Sequence, residues 1–408
     1  MRSIQQNIKV VVRERLKAEV GKAVEPERIR EFVFREINTL ISEAVNEAMV
    51  KERDELLGRE PYEREGGSIY RNGYKRAAVA GCFGTVELNR PVLRKGTFFP
   101  EILRALIEAG KGMIGILAQR FWLRGASTRA VAEEINQAFG THLSATSVSK
   151  LTNALEPTVK AWEERKIPWP ICYLYLDALY LPVRKESFTC KQALLVAIGV
   201  DENHHKHFLG FVLGDRESTA SWGLLIKNLL DRGLSTSSLR LVISDACQGI
   251  ITAVGETLGV RHQLCLVHKH RNVLALIPAK DKKAFDASFK AVFWTDSKSS
   301  AHLALKELKL KWSRQYPKAA RMVEDRFDMY TTFFDEPSLY WTMCRSTNLI
   351  ERFNREIRRR FDPAGAMQSE LEVSKLLWAV ACAQEDRWAK HRVHLSKSSG
   401  KEVLPLAA

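Results

Sequence analysis

No stretch of this sequence is apolar for long enough to cross a bilayer. The longest unbroken apolar run, Leu376 to Ala383, falls far short of the roughly 20 residues that a membrane helix needs. The N-terminus, where Arg2, Lys9, Arg13 and Arg15 interrupt the apolar residues, lacks the apolar core and cleavage site of a secretory signal. Cysteine is sparse and odd in number. Seven cysteines scattered from Cys82 to Cys382 do not make a disulfide framework in a chain of 408 residues, and they fit a reducing cytoplasm. Repeats and low-complexity blocks are absent. Acid is the scarcer charge, with 48 Asp and Glu against 63 Lys and Arg. The resulting +15 points to a polyanionic partner, because cations placed on phosphates release condensed counterions. With 45% apolar and 27% charged residues, the composition is that of a folded soluble protein of two or three domains, not of a disordered one.

Residues 1–60 read as two helices for DNA binding or dimerisation. Pro26 can start the second, and Ile29, Val33, Ile37, Leu40, Ile41 and Val45 form its stripe. Residues 61–100 form a small basic β element, in which Ala77–Val79 and Thr85–Leu88 pair around the turn from Gly81 to Gly84. In residues 101–166, helical spacing returns. Ser127 caps one helix, Gly140 ends it, and Ser144 to Leu151 opens a second with small polar residues at its start. That is the outline of a helix-turn-helix, whose Arg129, Ser147 and Lys150 are candidate DNA contacts. Ile167-Pro168-Trp169-Pro170 marks a boundary, because neither proline suits a helix interior.

The next run, Ile171 to Val183, is rich in aromatic and branched residues and carries Asp177 in its middle, where a buried strand has no ordinary use for a charge. Strands over Ala193–Val200 and His207–Val212 follow, then a helix over Ala220–Arg232 that Gly233 ends, then a strand over Leu239–Ser244. Asp245 stands at the C-terminal end of that last strand, where ligands of α/β sheets gather. Far downstream, Ile350, Phe353, Ile357 and Phe361 place a helix whose first turn carries Glu351. Asn348 and Glu351 have the spacing of a capping box. Arg352, Arg355, Arg358 and Arg359 project from other faces as candidate phosphate contacts.

This order is that of an α/β, ribonuclease-H-like core, spanning 171–260 and 345–395 and interrupted by an all-helical insertion over 261–344. Helical patterns at Ala301–Trp312 and Ala319–Tyr330 lie inside the insertion, with no further strand expected there. Leu371 to Arg387 reads as a closing helix, and 396–408 as a mobile basic tail. Two aspartates and a glutamate at one sheet edge can hold two Mg²⁺ ions for in-line phosphoryl transfer, since Mg²⁺ prefers hard oxygen ligands and Mn²⁺ can substitute. Each acid also has an ordinary structural reading: Asp177 as a hydrogen-bonded core residue, Asp245 as a helix cap, Glu351 as a first-turn glutamate paired with Arg355. Cys265 and His268 have ligand spacing, but no second close pair follows, so a zinc site is not expected. Trp294, Trp312, Trp341, Trp378 and Trp388 are core residues on this reading, with base stacking as the alternative.

The chain resembles the mutator-type transposases of bacterial insertion sequences, a branch of the Asp-Asp-Glu transposases. The resemblance rests on Arg71-Asn72-Gly73, Gly125 to Arg129, Asp177-Ala178-Leu179-Tyr180 with Val183-Arg184, Arg232-Gly233-Leu234, Ser244-Asp245 with Gly249, Cys265 to His268, Arg271-Asn272 and Ser346 to Arg352. Ser346 stands where a second threonine is usual, and Ala246-Cys247 where a glycine often follows the aspartate. The resemblance implies a ribonuclease-H-like domain with a helical insertion, Mg²⁺ dependence, and binding to the terminal inverted repeats of an element. It also implies strand transfer to target DNA by a homodimer or larger synaptic assembly, with Cys265 and His268 close to the active site. A non-catalytic DNA-binding descendant is the alternative.

Overall fold

In the computed structural model, residues 26–58, 69–81, 84–185 and 188–393 are described. The first of the two expected N-terminal helices, Gly66-Gly67 and the tail over 396–408 lie outside them. The chain divides into two compact units, residues 1–154 and 155–408. The division falls ahead of the Ile167–Pro170 run, so the helix Glu156–Glu163 groups with the second unit, apart from the helices at 128–153. Among the described residues no helix is long and apolar enough to cross a membrane.

The first unit opens, among the described residues, with α1 (Pro26–Leu57). The hairpin β1 (Arg71–Gly81) and β2 (Gly84–Leu93) sets Ala77 opposite Leu88 and Val79 opposite Val86. Val45 and Met49 of α1 close over Val79, Val86 and Leu88, and Leu103 joins them from α2 (Glu101–Trp122). In α3 (Thr128–Phe139) the Ser127 side chain accepts the Ala130 N–H, and Gly140 ends the helix at a left-handed φ of 61°. In α4 (Ala145–Asn153) the Ser144 side chain accepts the Ser147 N–H. Asn136 ties the turn between them: its Oδ1 accepts the Leu143 N–H at 2.6 Å and its Nδ2 donates to the Leu143 carbonyl at 2.9 Å.

The second unit begins with α5 (Glu156–Glu163) and is built on one sheet. Strands β3 (Ile171–Lys185), β4 (Phe188–Asp201) and β5 (Lys206–Gly214) run antiparallel. Strand β6 (Leu241–Ser244) pairs parallel to β3, and β7 (His262–Leu264) parallel to β6, giving the order β5-β4-β3-β6-β7. Helices α6 (Thr219–Asp231) and α7 (Gln248–Thr257) cover one face. Trp222, Leu225, Ile226, Leu229, Ile250 and Val254 pack there on Ile171, Leu174, Leu176, Leu195 and Ala197. This mixed core with helices around it is consistent with a ribonuclease-H-like fold.

Strand alternation then decides the other face. Tyr173 and Tyr175 reach away from α6 and α7; their hydroxyls donate to Glu336 Oε2 at 2.8 Å and to the Met343 carbonyl at 3.0 Å. Asp177, two residues on, shares their face.

Three expectations need correction. The segment 261–344 is not all helical, because β7 occupies its start: three residues are too few to show a period, and buried His262 and Gln263 do not look like strand core. Gln263 is satisfied by accepting the Phe333 N–H at 2.8 Å and donating to the Tyr330 carbonyl at 3.1 Å. After β7 come helices α8 (Leu266–Ala275), α9 (Ala279–Phe293), α10 (Lys298–Trp312), α11 (Pro317–Glu324), α12 (Phe327–Tyr330) and α13 (Trp341–Cys344). The expected helix over 319–330 is broken at Arg326, whose φ of 52° is left-handed. Its guanidinium donates to the Ala246 carbonyl at 3.2 Å and to Gln248 at 2.8 Å.

The third correction concerns α14 (Asn348–Ala364). Its N-cap is Thr347, Asn348 is its first helical residue, and the cap makes no side-chain hydrogen bond to the backbone, so the Asn348–Glu351 capping box does not form. The buried stripe of Ile350, Phe353, Ile357 and Phe361 is as expected, and α15 (Glu370–Trp388) follows.

Candidate active site

Strand register brings the two aspartates together. Tyr175 of β3 lies opposite Ile243 of parallel β6, so Asp177 and Asp245 stand two residues further along adjacent chains. Asp245 Oδ1 accepts the Cys247 N–H at 3.1 Å, which turns the chain into α7. The buried stripe of α14 carries Glu351 to the same place. All three acids line one open cavity of about 440 Å³, together with His268, Arg271, Asn354, Arg355 and Arg358.

Asp177 is 9% exposed, and Asn354 Nδ2 donates to its Oδ2 at 2.7 Å. Burial, and then the negative charge of Asp245, push the Asp177 carboxyl up to about 7. Asn354 Oδ1 is buried without a hydrogen-bond partner. Glu217, outside the cavity lining, is also raised, by burial and then by Asp245. Acidic charge is therefore crowded here, and a cation would relieve it.

Glu351 is held from two sides. The Thr347 hydroxyl lies 3.1 Å from its Oε1, and His268 Nε2 lies 3.2 Å from the same oxygen. Cys265 is the N-cap of α8, which sets His268 in the first turn beside it. The Cys265 sulfur draws the imidazole up to about 9, against the burial that lowers it, with Glu351 and Asp177 adding to the rise. Burial alone would push the Cys265 thiol up, but His268 and the Thr347 donors outweigh it and leave the thiol below its ordinary value. Behind this layer, His262 Nε2 meets Ser244 Oγ at 2.8 Å, and burial takes that imidazole down to about 4.

The structure gathers some of the sequence candidates and separates others. Asp177, Asp245, Glu351, His268, Arg355 and Arg358 share the cavity, and Cys265 lies behind it. Arg359 pairs with Glu356 instead. Arg352 opens onto a different cavity of about 430 Å³ lined also by Lys206, Arg387 and Trp388. Arg129 and Lys150 are exposed in the first unit, while Ser147 is taken up in the Ser144 cap. Sequence reasoning missed Asn354, although its position three residues after Glu351 puts it on the same helix face. It also missed Thr347 as the residue that binds Glu351 to Cys265. Of the tryptophans, Trp312 and Trp388 are buried and Trp294 is exposed beneath the Arg345 guanidinium.

A family model described as "Transposase, Mutator family" matches residues 15–391. The transposase of insertion sequence element ISRM5 from Rhizobium meliloti (strain 1021) is 30% identical, over 91% of this chain and 93% of its own length. The transposase of IS256 in transposon Tn4001 from Staphylococcus aureus is 30% identical, over 91% of this chain and 95% of its own. That of IS1201 from Lactobacillus helveticus is 30% identical, over 81% and 89%.

Proposed function

The chain belongs to the Mutator family of transposases, and from that premise we propose that it cuts the ends of an insertion sequence and joins them to target DNA, with Asp177, Asp245 and Glu351 as the catalytic acids. The observation that carries this reading is the single cavity in which three acids, from the middle of β3, the end of β6 and the first turn of α14, meet three arginines. Carboxylates are the ligands Mg²⁺ selects, and Mn²⁺ fits the same donors. The raised Asp177 carboxyl, beside the charge of Asp245, suits a bound cation. When bound, such ions supply Lewis acidity at the phosphate and ease ionisation of the attacking hydroxyl.

The chain's own residues do the rest. Asn354 fixes the Asp177 carboxylate through its amide, so that the free oxygen keeps one direction. His268 is protonated at neutral pH and holds Glu351 from the side. Arg271, Arg355 and Arg358 attract the DNA backbone to the acids, which would otherwise repel it. Arg352, with Lys206 and Arg387, offers a second basic opening for the flanking duplex. In the first unit α3 and α4 act as the helix-turn-helix that reads the terminal repeats, with exposed Arg129 and Lys150 as contacts. Because two element ends must be held at once, the working form is a dimer or larger assembly.

The test is incubation of purified chain with a labelled element-end duplex in Mg²⁺. Wild type should cut and join, while Asp177→Asn, Asp245→Asn and Glu351→Gln bind the duplex and do neither. A wild-type chain that binds the end but never cuts, in Mg²⁺ or Mn²⁺, would make it a non-catalytic DNA-binding descendant.

A further inference from the structure

Glu351 belongs to a second donor set whose chemistry differs from that of the aspartates. A nitrogen of His268, the Cys265 sulfur and a Glu351 carboxylate oxygen all lie within 4.8 Å of one another. His268 Nε2 and Glu351 Oε1 are 3.2 Å apart, close to the nitrogen-to-oxygen edge of a tetrahedral ion with bonds of about 2.0–2.1 Å. The sulfur is buried and accepts the Thr347 N–H at 3.3 Å, while the single proton of the Thr347 hydroxyl, 3.2 Å away, is shared between the sulfur and Glu351 Oε1. Donors of this kind steady a metal-bound thiolate and fix its direction. The second ring nitrogen of His268, Nδ1, is buried and has no hydrogen-bond partner.

We propose that Cys265, His268 and Glu351 form a binding site for one soft divalent cation of the zinc class. Sulfur and imidazole select against Mg²⁺, so this site and the hard site of the aspartates take different ions. The sequence conceals it because the third ligand comes from α14, far down the chain from the Cys265–His268 pair, and a search for a second close pair passes over a lone glutamate. The two donor sets share Glu351. A zinc ion on Cys265 and His268 therefore withdraws that carboxylate from the aspartates and stops DNA cutting. This consequence rests on the reading of the acids given above; the site itself does not.

The probe is Co²⁺, titrated into the metal-free full chain under reductant, without DNA or Mg²⁺. One equivalent should give a thiolate-to-cobalt charge-transfer band in the near ultraviolet and tetrahedral d–d bands in the visible, both abolished by added Zn²⁺. Cys265→Ser should remove the charge-transfer band. It and His268→Gln should each weaken zinc binding by more than the roughly 10–100-fold that loss of an outer partner costs. Asp177→Asn with Asp245→Asn should leave both bands in place. Zinc-edge X-ray absorption of the wild type needs no variant, and should show one sulfur at about 2.3 Å. A folded wild type without the charge-transfer band, or a band that survives Cys265→Ser, overturns the proposal. A chain that shows the band but never cuts DNA keeps the soft site and loses the transposition chemistry; one that cuts without the band does the reverse.

Discussion

Replacing Asn354 by alanine removes the side-chain hydrogen bond to Asp177, the most buried of the three acids of the site. Asn354 Nδ2 donates to Asp177 Oδ2 at 2.7 Å with both side chains under 10% exposed. A hydrogen bond to a charged group of this kind contributes about 1.5–3 kcal/mol. If that bond serves to orient a metal ligand, its loss costs roughly 10–100-fold in metal affinity or activity, which is about 1.4–2.7 kcal/mol and agrees with the first figure. The assay is single-turnover cutting of an element-end duplex across a Mg²⁺ series. Asn354→Ala should raise the Mg²⁺ needed for half the maximal rate, and the deficit should shrink at high Mg²⁺, with DNA affinity unchanged. Asn354→Asp keeps the shape but replaces the donor by a like charge, so it should fall below alanine. Thermal unfolding of each variant checks that the fold is retained. Wild-type rate and Mg²⁺ dependence in folded Asn354→Ala would refute the positioning role.

Three further outcomes are expected. Glu336 is buried between Arg240 at 3.0 Å, Arg261 and the Tyr173 hydroxyl; Glu336→Ala leaves the buried Tyr173 hydroxyl without its acceptor while the half-exposed arginines turn to solvent, and should cost about 1–3 kcal/mol in urea unfolding, whereas an unchanged stability would show that the network contributes nothing. Burial holds His262 at a pKa of about 4 in the folded chain, against the ordinary 6.5 of the unfolded one, so the unfolded chain binds the extra proton between those values. Its contribution to stability is therefore complete above about 6.5 and is lost as pH falls toward 4, by up to about 3 kcal/mol; the slope of wild type should exceed that of His262→Gln in this window, and equal slopes would contradict the assignment. Arg355→Ala and Arg358→Ala should each weaken DNA binding for any sequence and lower the salt dependence by about one counterion, whereas Arg129→Ala and Lys150→Ala should weaken binding to the element end more than to other DNA. The reverse pattern would exchange the roles assigned to the two units.

Of the three acids only Asp177 broke a local rule, while Asp245 and Glu351 stand at ordinary positions and became candidates by their place in the order of strands and helices. Asp177 is a charge inside an apolar strand, Asp245 ends another strand, and Glu351 begins a helix whose stripe of Ile350, Phe353, Ile357 and Phe361 is buried as its spacing requires. What escaped the sequence was short or non-local. Three residues of β7 carry no period, and the pairing that makes them a strand comes from β6. The break at Arg326 depends on its left-handed backbone and on its bonds to Ala246 and Gln248, neither of which a propensity can register. Thr347 replaces the expected cap at Asn348 because its hydroxyl lies between Cys265 and Glu351, contacts that exist only after folding. The arginines of α14 looked equivalent in sequence, yet the helix turns Arg355 and Arg358 to the acids, Arg352 to another cavity and Arg359 to Glu356.

On the reading proposed above, three acids hold hard cations against the phosphate that is cut. The most direct test is single-turnover cutting of an element-end duplex in which sulfur replaces one non-bridging oxygen at the scissile phosphate, in Mg²⁺ and then in Mn²⁺. Sulfur should slow the reaction sharply in Mg²⁺, and the softer Mn²⁺ should restore it, with no restoration in Asp177→Asn. Equal rates for both substrates and both stereoisomers in Mg²⁺ would contradict the account, because no metal would then touch the reacting phosphate.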